Sequence, residues 1–319
     1  MRILVYEFVT GGGPAAREVP ASLAREGAAM RAAIIADLNA IGGHQIVTAT
    51  SGTLDAAIAS VDAVWLIAPE TDGCLQRLAA QVERNGKRLL GSSADAVRRA
   101  SDKEGLALRL ARHRISHPMT RVVRNGAGWE SVAREVGYPL VIKPRCGAGS
   151  QGVSLANSAA DVPRALEGAR RVSRNEAVLM QRYIAGTAAS VSLLADGARA
   201  IPLMINAQHL SGSPNFTYEG GRSPLEHPFA VKALTAAMRT CDALPGLQGY
   251  VGVDVVLTES DAVVIEVNPR LTTAYLGVRS ALKENVAELA IAACEGHLPG
   301  PLVAQQSVRF TAWGDLGPA

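Results

Sequence analysis

Two carboxylates on neighbouring strands are the sharpest chemical signal in this chain. The segment GYVGVDVVLTESDAVVIEVNPR reads as two strands around a turn at Glu259, Ser260 and Asp261. A pivot at Ser260 puts Asp254 directly opposite Glu266, and Asn268 joins them on the same face. The other face carries Val251, Val253, Val255, Leu257, Val263, Ile265 and Val267, and is expected to be buried. Two carboxylates about 5 Å apart repel by roughly 3 kcal/mol at an effective dielectric near ~20. A divalent cation removes that penalty. Two carboxylates and an amide oxygen are hard donors, suited to Mg²⁺, or Mn²⁺ in its place, with phosphate filling the remaining positions. The alternative is a solvated hairpin face, which explains neither the opposed acids nor the amide. Arg270, just past the strand end, is placed to meet an anion such as a phosphate or acyl phosphate.

The second signal is KPRCGAGSQG, residues 143–152. It contains G-x-G-x-x-G at Gly147, Gly149 and Gly152, with Ser150 between the last two. Dinucleotide folds and kinase flaps both use that spacing. A dinucleotide turn leads into a helix. Here the continuation VSLAN alternates like a strand. A Gly-rich loop between two strands is a flap whose backbone N–H groups cover nucleotide phosphates; a plain hairpin turn is the alternative. Lys143, at the end of the incoming strand, is placed to contact phosphate. No G-x-x-x-x-G-K-[ST] is present, which excludes a Walker A loop. An NAD-dependent oxidoreductase is disfavoured too, because the glycines lie outside the N-terminal α/β segment and lead into a strand.

Lys103 sits in the first turn of a helix whose start reads S-x-x-E, with Ser101 and Glu104 as a capping box. MQRYIAG, residues 180–186, reads as a strand running into a loop. The histidines have no metal-ligand spacing, and no G-x-S-x-G elbow occurs. Cys74, Cys146, Cys241 and Cys294 include no C-x-x-C pair. They read as small hydrophobes in a reducing cytosol, not as a zinc knuckle or a disulfide scaffold.

Elements must hold these residues in place. Residues 2–8, 44–50, 63–69 and 87–91 read as strands. An Ala-rich helix over residues 21–41 stops at Gly42 and Gly43, and another helix carries Leu75, Leu78, Ala79 and Val82. That order predicts a parallel, doubly wound sheet. From Tyr138 onward the strands come closer together and look hairpin-like. A Gly-, Pro-, Ser- and Asn-rich stretch, residues 211–228, reads as a loop or lid. The expected class is therefore α/β, becoming α+β in the C-terminal part. The expected divisions are residues 1–95, 96–178 and 179–319. The length of 319 residues suits such an assembly of small lobes. Hydrophobic residues at 48 % and charged residues at 19 % exclude a disordered chain. A net charge of +3 and 4 % aromatics leave no basis for a nucleic-acid surface. The start MRILVYEFV reads as a strand, not a signal peptide, and no run is long enough to span a membrane.

In order along the chain, these pieces resemble the ATP-grasp superfamily. They are SDKEG, PLVIKP, GAGSQGV, QRYIAG and GVDVV…VIEVNPR, with an α/β domain in front. The resemblance implies an ATP-grasp fold with an N-terminal pre-ATP-grasp domain, with ATP and Mg²⁺ as cofactors. It implies that Lys103, Lys143, Gly147, Gly149, Ser150 and Gly152 meet the nucleotide phosphates. It implies that Gln181, Arg182, Tyr183 and Ile184 border adenine, and that Asp254, Glu266 and Asn268 hold the metal. The family often has a Glu for the ribose hydroxyls where this chain has Ala188, which puts purine nucleotide choice in doubt. Such enzymes usually join a carboxylate to an amine through an acyl phosphate. In that chemistry Lys143 and Arg270 would be the catalytic side chains.

VYEFVTGGG, IAPETDGCL and INAQH…FTYEGG look like the tyramine–glutamate ligases of methanofuran biosynthesis. That resemblance implies glutamate and tyramine as small-molecule partners in the cytoplasm, with no nucleic acid or membrane, and leaves a homodimer open. Arg270 is then the expected carboxylate partner. Glu7, Glu70 and Asp72 are candidates for an ammonium, because each lies at or just after the C-terminal end of a parallel strand. Tyr218, with Phe216, is expected to close over an aromatic amine. Another amino-acid or dipeptide ligase, or a non-catalytic nucleotide-binding regulator, remains the alternative.

Overall fold

Hydrophobic periodicity in the first ninety or so residues builds a sheet covered on both faces. The computed structural model describes residues 1–13, 21–124, 128–173 and 177–319. Pro14 of the TGGGP segment lies outside them. Strands β1 (Arg2–Glu7), β2 (Gln45–Val47), β3 (Ala63–Ile67) and β4 (Arg88–Leu89) pair in parallel in the order β2-β1-β3-β4. Helices α1 (Ala21–Ile41), α2 (Leu54–Ala59) and α3 (Cys74–Arg84) connect them. Ile3, Val5, Trp65 and Ile67 pack with Met30, Ile34 and Leu38 of α1. Leu4, Tyr6, Val64 and Leu66 pack with Leu54 and Ile58 of α2 and with Leu75, Leu78 and Val82 of α3. The period-two alternation of each strand thus feeds two cores, which makes the sheet doubly wound.

Helices α4 (Ala94–Ser101) and α5 (Lys103–Arg112) follow. The expected capping box is not formed. Ser101 ends α4, where its hydroxyl donates to the Val97 carbonyl at 2.7 Å. Asp102 caps α5 instead, accepting from the Gly105 N–H at 3.2 Å. Its carboxylate also takes a two-point contact from Arg145, at 2.7 and 2.6 Å. A charged acceptor held by an arginine makes the stronger cap.

The smaller sheet holds β5 (Thr120–Val123), β6 (Leu140–Pro144), β7 (Ser154–Ala156) and β8 (Val178–Arg182), ordered β5-β8-β6-β7. Helices α6 (Trp129–Val136) and α7 (Val162–Val172) cover it with Ala133, Val136, Val162, Leu166 and Ala169. Because β8 pairs with β5 and β6, a division at 178/179 would cut through this sheet.

The larger sheet is antiparallel. It contains β9 (Thr187–Asp196), β10 (Ala200–Ser211), β11 (Thr217–Ser223), β12 (Gln248–Leu257), β13 (Ala262–Asn268), β14 (Val308–Thr311) and β15 (Leu316–Pro318). Their order is β13-β12-β9-β10-β11-β14-β15. Helix α8 (Ala230–Asp242) packs on one side of it, and α9 (Tyr275–Ala281) and α10 (Val286–Ala293) share a core with α1. Strand β11 corrects the loop expected over residues 211–228. Its glycines reflect close strand approach: a Cβ on Gly220 would lie 2.1 Å from the Phe310 carbonyl, and one on Gly221 would lie 2.1 Å from that of Ala207. Cys74 and Cys241 are buried, Cys146 and Cys294 half-buried, and all four thiols are free.

Candidate active site

The β12–β13 hairpin brings the two acids together as its spacing requires. Asp254 pairs directly with Glu266, and Gly252 with Asn268. The route to that pairing differs from a turn centred on Ser260. Near the turn the register is one residue shorter, with Leu257 opposite Ala262 and Val255 opposite Val264. A bulge between Asp254 and Val255 then takes in Ile265 as an extra residue and restores the acid pair. As a result Ala262 and Val264 join the buried face, whereas Ile265 lines the cleft beside Val256. That overturns the expectation of a buried Ile265.

Neighbouring groups divide the burden of the two charges. Gln208 Nε2 donates to Asp254 Oδ1 at 2.9 Å, and Asn268 Nδ2 donates to Asp254 Oδ2 at 3.1 Å. Lys103 Nζ lies 3.3 Å from Glu266 Oε2. Burial opposes charge on Glu266, yet Lys103 and Lys143 outweigh it and hold the carboxyl below its usual range. Burial and the Glu266 charge together push Asp254 up. The pair therefore carries an electrostatic load that the protein only partly relieves. Among the described residues no group of three or more His, Cys, Asp or Glu side chains could hold a metal ion. A cation at this hairpin would rest on two carboxylates and the Asn268 amide oxygen, with other oxygens completing its shell. Mg²⁺ accepts that donor set readily, because it retains water and phosphate ligands in preference to an all-protein cage.

Both lysines face the same cleft. Lys143, only 5 % exposed, donates to Gln181 Oε1 at 2.9 Å, and Gln181 Nε2 donates to Thr120 Oγ1 at 2.8 Å. Gln181 therefore orients Lys143. Burial lowers the Lys143 pKa to about 8, with Lys103 adding to the effect and Glu266 opposing it. Lys103 Nζ also donates to the Gly147 carbonyl at 2.9 Å, which ties α5 to the flap. The flap joins the antiparallel strands β6 and β7, so the glycines lead into a strand and not a helix. Gly149 and Ser150 adopt φ of +66° and +57°, the left-handed region in which glycine is at ease. Gly147, Gly149 and Ser150 line the cleft, but Gly152 does not. A Cβ on Gly152 would lie 3.1 Å from Ala169 Cα, so that glycine serves packing against α7. Gln181, Arg182, Tyr183 and Ile184 also line the cleft, and Ala188 sits in its wall opposite Val256.

At the far end, Arg270 is engaged. Its Nε and Nη2 donate to Glu70 at 2.8 and 2.9 Å, and its Nη1 donates to the Leu271 carbonyl at 3.0 Å. Glu70, 3 % exposed, is thus the partner of Arg270 and is not a cleft-lining carboxylate. Glu7 is not in the cleft either. Its two carboxylate oxygens accept the Val9 and Thr10 N–H groups at 3.0 and 2.6 Å, closing the loop after β1. Asp72 lies outside the cleft lining, in a tight turn at φ +52°. Arg270 and Tyr218 do line it.

One cavity of about 790 Å³ collects these residues. It also takes in Glu26 on α1, Ser190, Gln208, Thr272, Thr273 and Trp313, none of which the sequence assigned a role, although Gln208 lies in the INAQH segment. They come from five separate stretches of the chain, and a short sequence window holds no trace of their meeting. Gln208 shares its strand with Asn206, His209 and Ser211, so nothing local marks it as the residue that reaches Asp254.

The pre-ATP-grasp domain family matches residues 35–97, and the ATP-grasp domain family matches residues 100–274. Tyramine–L-glutamate ligase of Methanocaldococcus fervens is 26 % identical over 231 residues, covering 72 % of this chain and 65 % of that one. The corresponding ligase of Methanocaldococcus jannaschii is 34 % identical over 117 residues, 37 % of this chain and 36 % of its own length. The large chain of carbamoyl phosphate synthase from Pasteurella multocida is 24 % identical over 67 % of this chain, and 20 % of its length is covered. The chain thus spans at most 65 % of the length of these curated relatives. Among solved structures, an ATP-grasp superfamily protein from Archaeoglobus fulgidus superposes with a TM-score of 0.72 at 25 % identity, covering 97 % of this chain and 92 % of that one. D-alanine–D-alanine ligase from Bacillus anthracis in complex with ATP superposes at 0.67 and 20 % identity over 92 % and 97 %, a likeness of fold. The hairpin, the flap and the two lysines lie within the matched residues 100–274, and on that match the chain belongs to the ATP-grasp family.

Proposed function

We propose that this chain is an ATP-dependent ligase that joins the γ-carboxylate of glutamate to the primary amine of tyramine, in methanofuran biosynthesis. The observation that carries the reading is a single cavity lined by Lys103, Lys143, the Gly147–Ser150 stretch of the flap, Asp254, Glu266, Asn268 and Arg270. The resemblance to tyramine–L-glutamate ligases supports the choice of substrates. We place the lobe boundaries near residues 95 and 182, so that β8 stays with its own sheet.

In this reading ATP lies between the smaller sheet and the β12–β13 hairpin. Adenine sits along residues 181–184, with Val256 and Ile265 as an apolar wall. Flap N–H groups, Lys103 and Lys143 hold the phosphates. Asp254, Glu266 and Asn268 would hold Mg²⁺, which supplies further charge neutralisation there. The substrate carboxylate attacks the γ-phosphorus, and the bond to the β–γ bridging oxygen breaks, releasing ADP. The neutral amine then adds to the acyl carbon, phosphate departs with the C–O electron pair, and the nitrogen passes its proton to the departing phosphate. The chain's contribution is alignment of the reactants and compensation of charge on the transferring phosphoryl group. Arg270, oriented by Glu70, faces the point where carboxylate and phosphate meet.

The test is ADP release with glutamate, tyramine, or both. Release should need glutamate and rise sharply with tyramine. With glutamate alone, ¹⁸O should scramble from the β–γ bridge of ATP. Release with a different amine, but not with tyramine, would move the substrate and leave the reaction class. No release with any carboxylate–amine pair would make ligation the wrong class.

A further inference from the structure

The nucleotide side of the cleft accounts for Lys103, Lys143, Asp254 and Glu266 and leaves Glu26 without a task. Glu26 belongs to α1, in the N-terminal lobe, yet it lines the same cavity. Its Oε1 accepts from the Thr273 hydroxyl, while Oε2 has no donor among the described residues. Burial raises its pKa, and Thr273 and Arg270 offset this only in part. Arg270 cannot neutralise Glu26 fully, because its two-point contact is committed to Glu70. Two carboxylates, Glu26 and Glu70, therefore face one guanidinium at this end of the cavity. With Arg270 committed to Glu70, the Glu26 carboxylate is the unmatched charge at this end. Aromatic surface stands next to it. Tyr218 and Trp313 line the cavity with Glu26. Trp313 is seated against α1, with its ring centroid 5.6 Å from the guanidinium carbon of Arg25. A Cβ on the neighbouring Gly314 would lie 2.9 Å from Ala29 Cβ.

We propose that Glu26 is the anchor for the ammonium group of the second substrate, a primary amine carried on an aromatic body that packs against Tyr218 and Trp313. This rests on the ligase reading above and assigns its amine end. An ammonium supplies the missing positive charge and the missing donor for Oε2, and passing one proton to that oxygen leaves the neutral amine that attacks. A ring beside two aromatic side chains gains apolar contact and edge-to-face packing. A carboxylate fits the Oε2 side of Glu26 poorly, because it would meet a like charge with no donor between them.

The experiment uses Glu26→Gln, which keeps an acceptor for Thr273 and removes the charge. The apparent KM for tyramine should rise about tenfold or more, the scale of one charged hydrogen bond. The KM for ATP and the glutamate-dependent ¹⁸O scrambling without amine should stay near wild-type values. An unchanged tyramine KM overturns the proposal. A matching loss of scrambling overturns it too, because Glu26 would then serve the carboxylate substrate. If Glu26→Gln fails to fold, Glu26→Asp, which draws the charge back along α1, should show the same split between amine and ATP. Absence of ADP release by the wild-type protein would instead remove the ligase reading itself, an outcome visible before any variant is made.

Discussion

Asp254 and Glu266 show how one residue pair can be structurally awkward and chemically useful. Lys103 compensates Glu266, while Asp254 keeps a raised pKa under burial and the charge opposite it. Replacing Glu266 by Gln relieves that repulsion while preserving shape. The fold should therefore survive, with an unchanged circular dichroism spectrum, and turnover should fall by about a hundredfold or more even at saturating Mg²⁺. Near-normal turnover would remove the metal role from the hairpin. Lys143 allows a prediction with a pH sign. Burial holds its pKa at about 8, and a bound phosphate favours the charged form. As pH rises above about 8, the free protein loses that charge and part of the binding energy must go to restoring it. ATP affinity, measured by calorimetry, should weaken with rising pH. The slope should flatten in Lys143→Arg, whose guanidinium stays charged. Affinity independent of pH across this window would take Lys143 off the phosphates.

Among the elements, the flap joins local backbone freedom to nucleotide binding. Gly149 adopts φ +66°, and a Cβ there would lie 3.1 Å from Leu23 Cδ1 on α1. Gly149→Val adds backbone strain of about 1–2 kcal/mol and crowds the flap against that helix. Fluorescence titration should show ATP binding weakened about tenfold, consistent with strain of that size. The melting temperature without nucleotide should move little, because the strain can relax within the flap. Unchanged ATP affinity would make these glycines simple turn residues. Strand β11 carries the contrasting case. Its glycines lie between close backbones, and substituting them would damage the sheet before it damaged the site.

Across the whole molecule, the N-terminal lobe and the larger sheet are joined by ion pairs between residues far apart in sequence. Glu70 meets Arg270, with side chains 4 % and 13 % exposed. Further along α1, Asp37 accepts from Tyr275 and Arg279, and its carbonyl accepts from Asn285 Nδ2 at 2.9 Å. Breaking a buried pair by removing one partner costs about 3–5 kcal/mol, whereas replacing both partners can be close to neutral. Glu70→Ala should therefore lower the denaturant midpoint more than the double variant Glu70→Leu/Arg270→Met. Equal or greater loss in the double variant would mean that the pair itself stabilises the lobe contact. These connections also bring Glu26 to the cleft, because α1 shares a core with α9 and α10.

Local spacing sufficed for the parts of the site held by one pair of strands. The opposed acids, the flap between β6 and β7 and the doubly wound first sheet all follow from period-two alternation and Gly placement over short distances. The bulge at Ile265 left no trace in that pattern, because Val263, Val264 and Ile265 are all apolar and any of them could face inward. A tighter turn and one extra residue cancel, so the acid pairing emerges the same by either route. Tertiary structure alone decided the other assignments. Glu7 was drawn into its own loop, Glu70 was paired with Arg270, Gly152 was turned towards α7, and Glu26, Thr273 and Trp313 were gathered around one corner. Glu26 and Trp313 approach the β13 end only when α1 packs against the larger sheet and its helices α9 and α10. The charge balance that gives an acid its role is a sum over neighbours in space, and neighbours along the chain do not specify it.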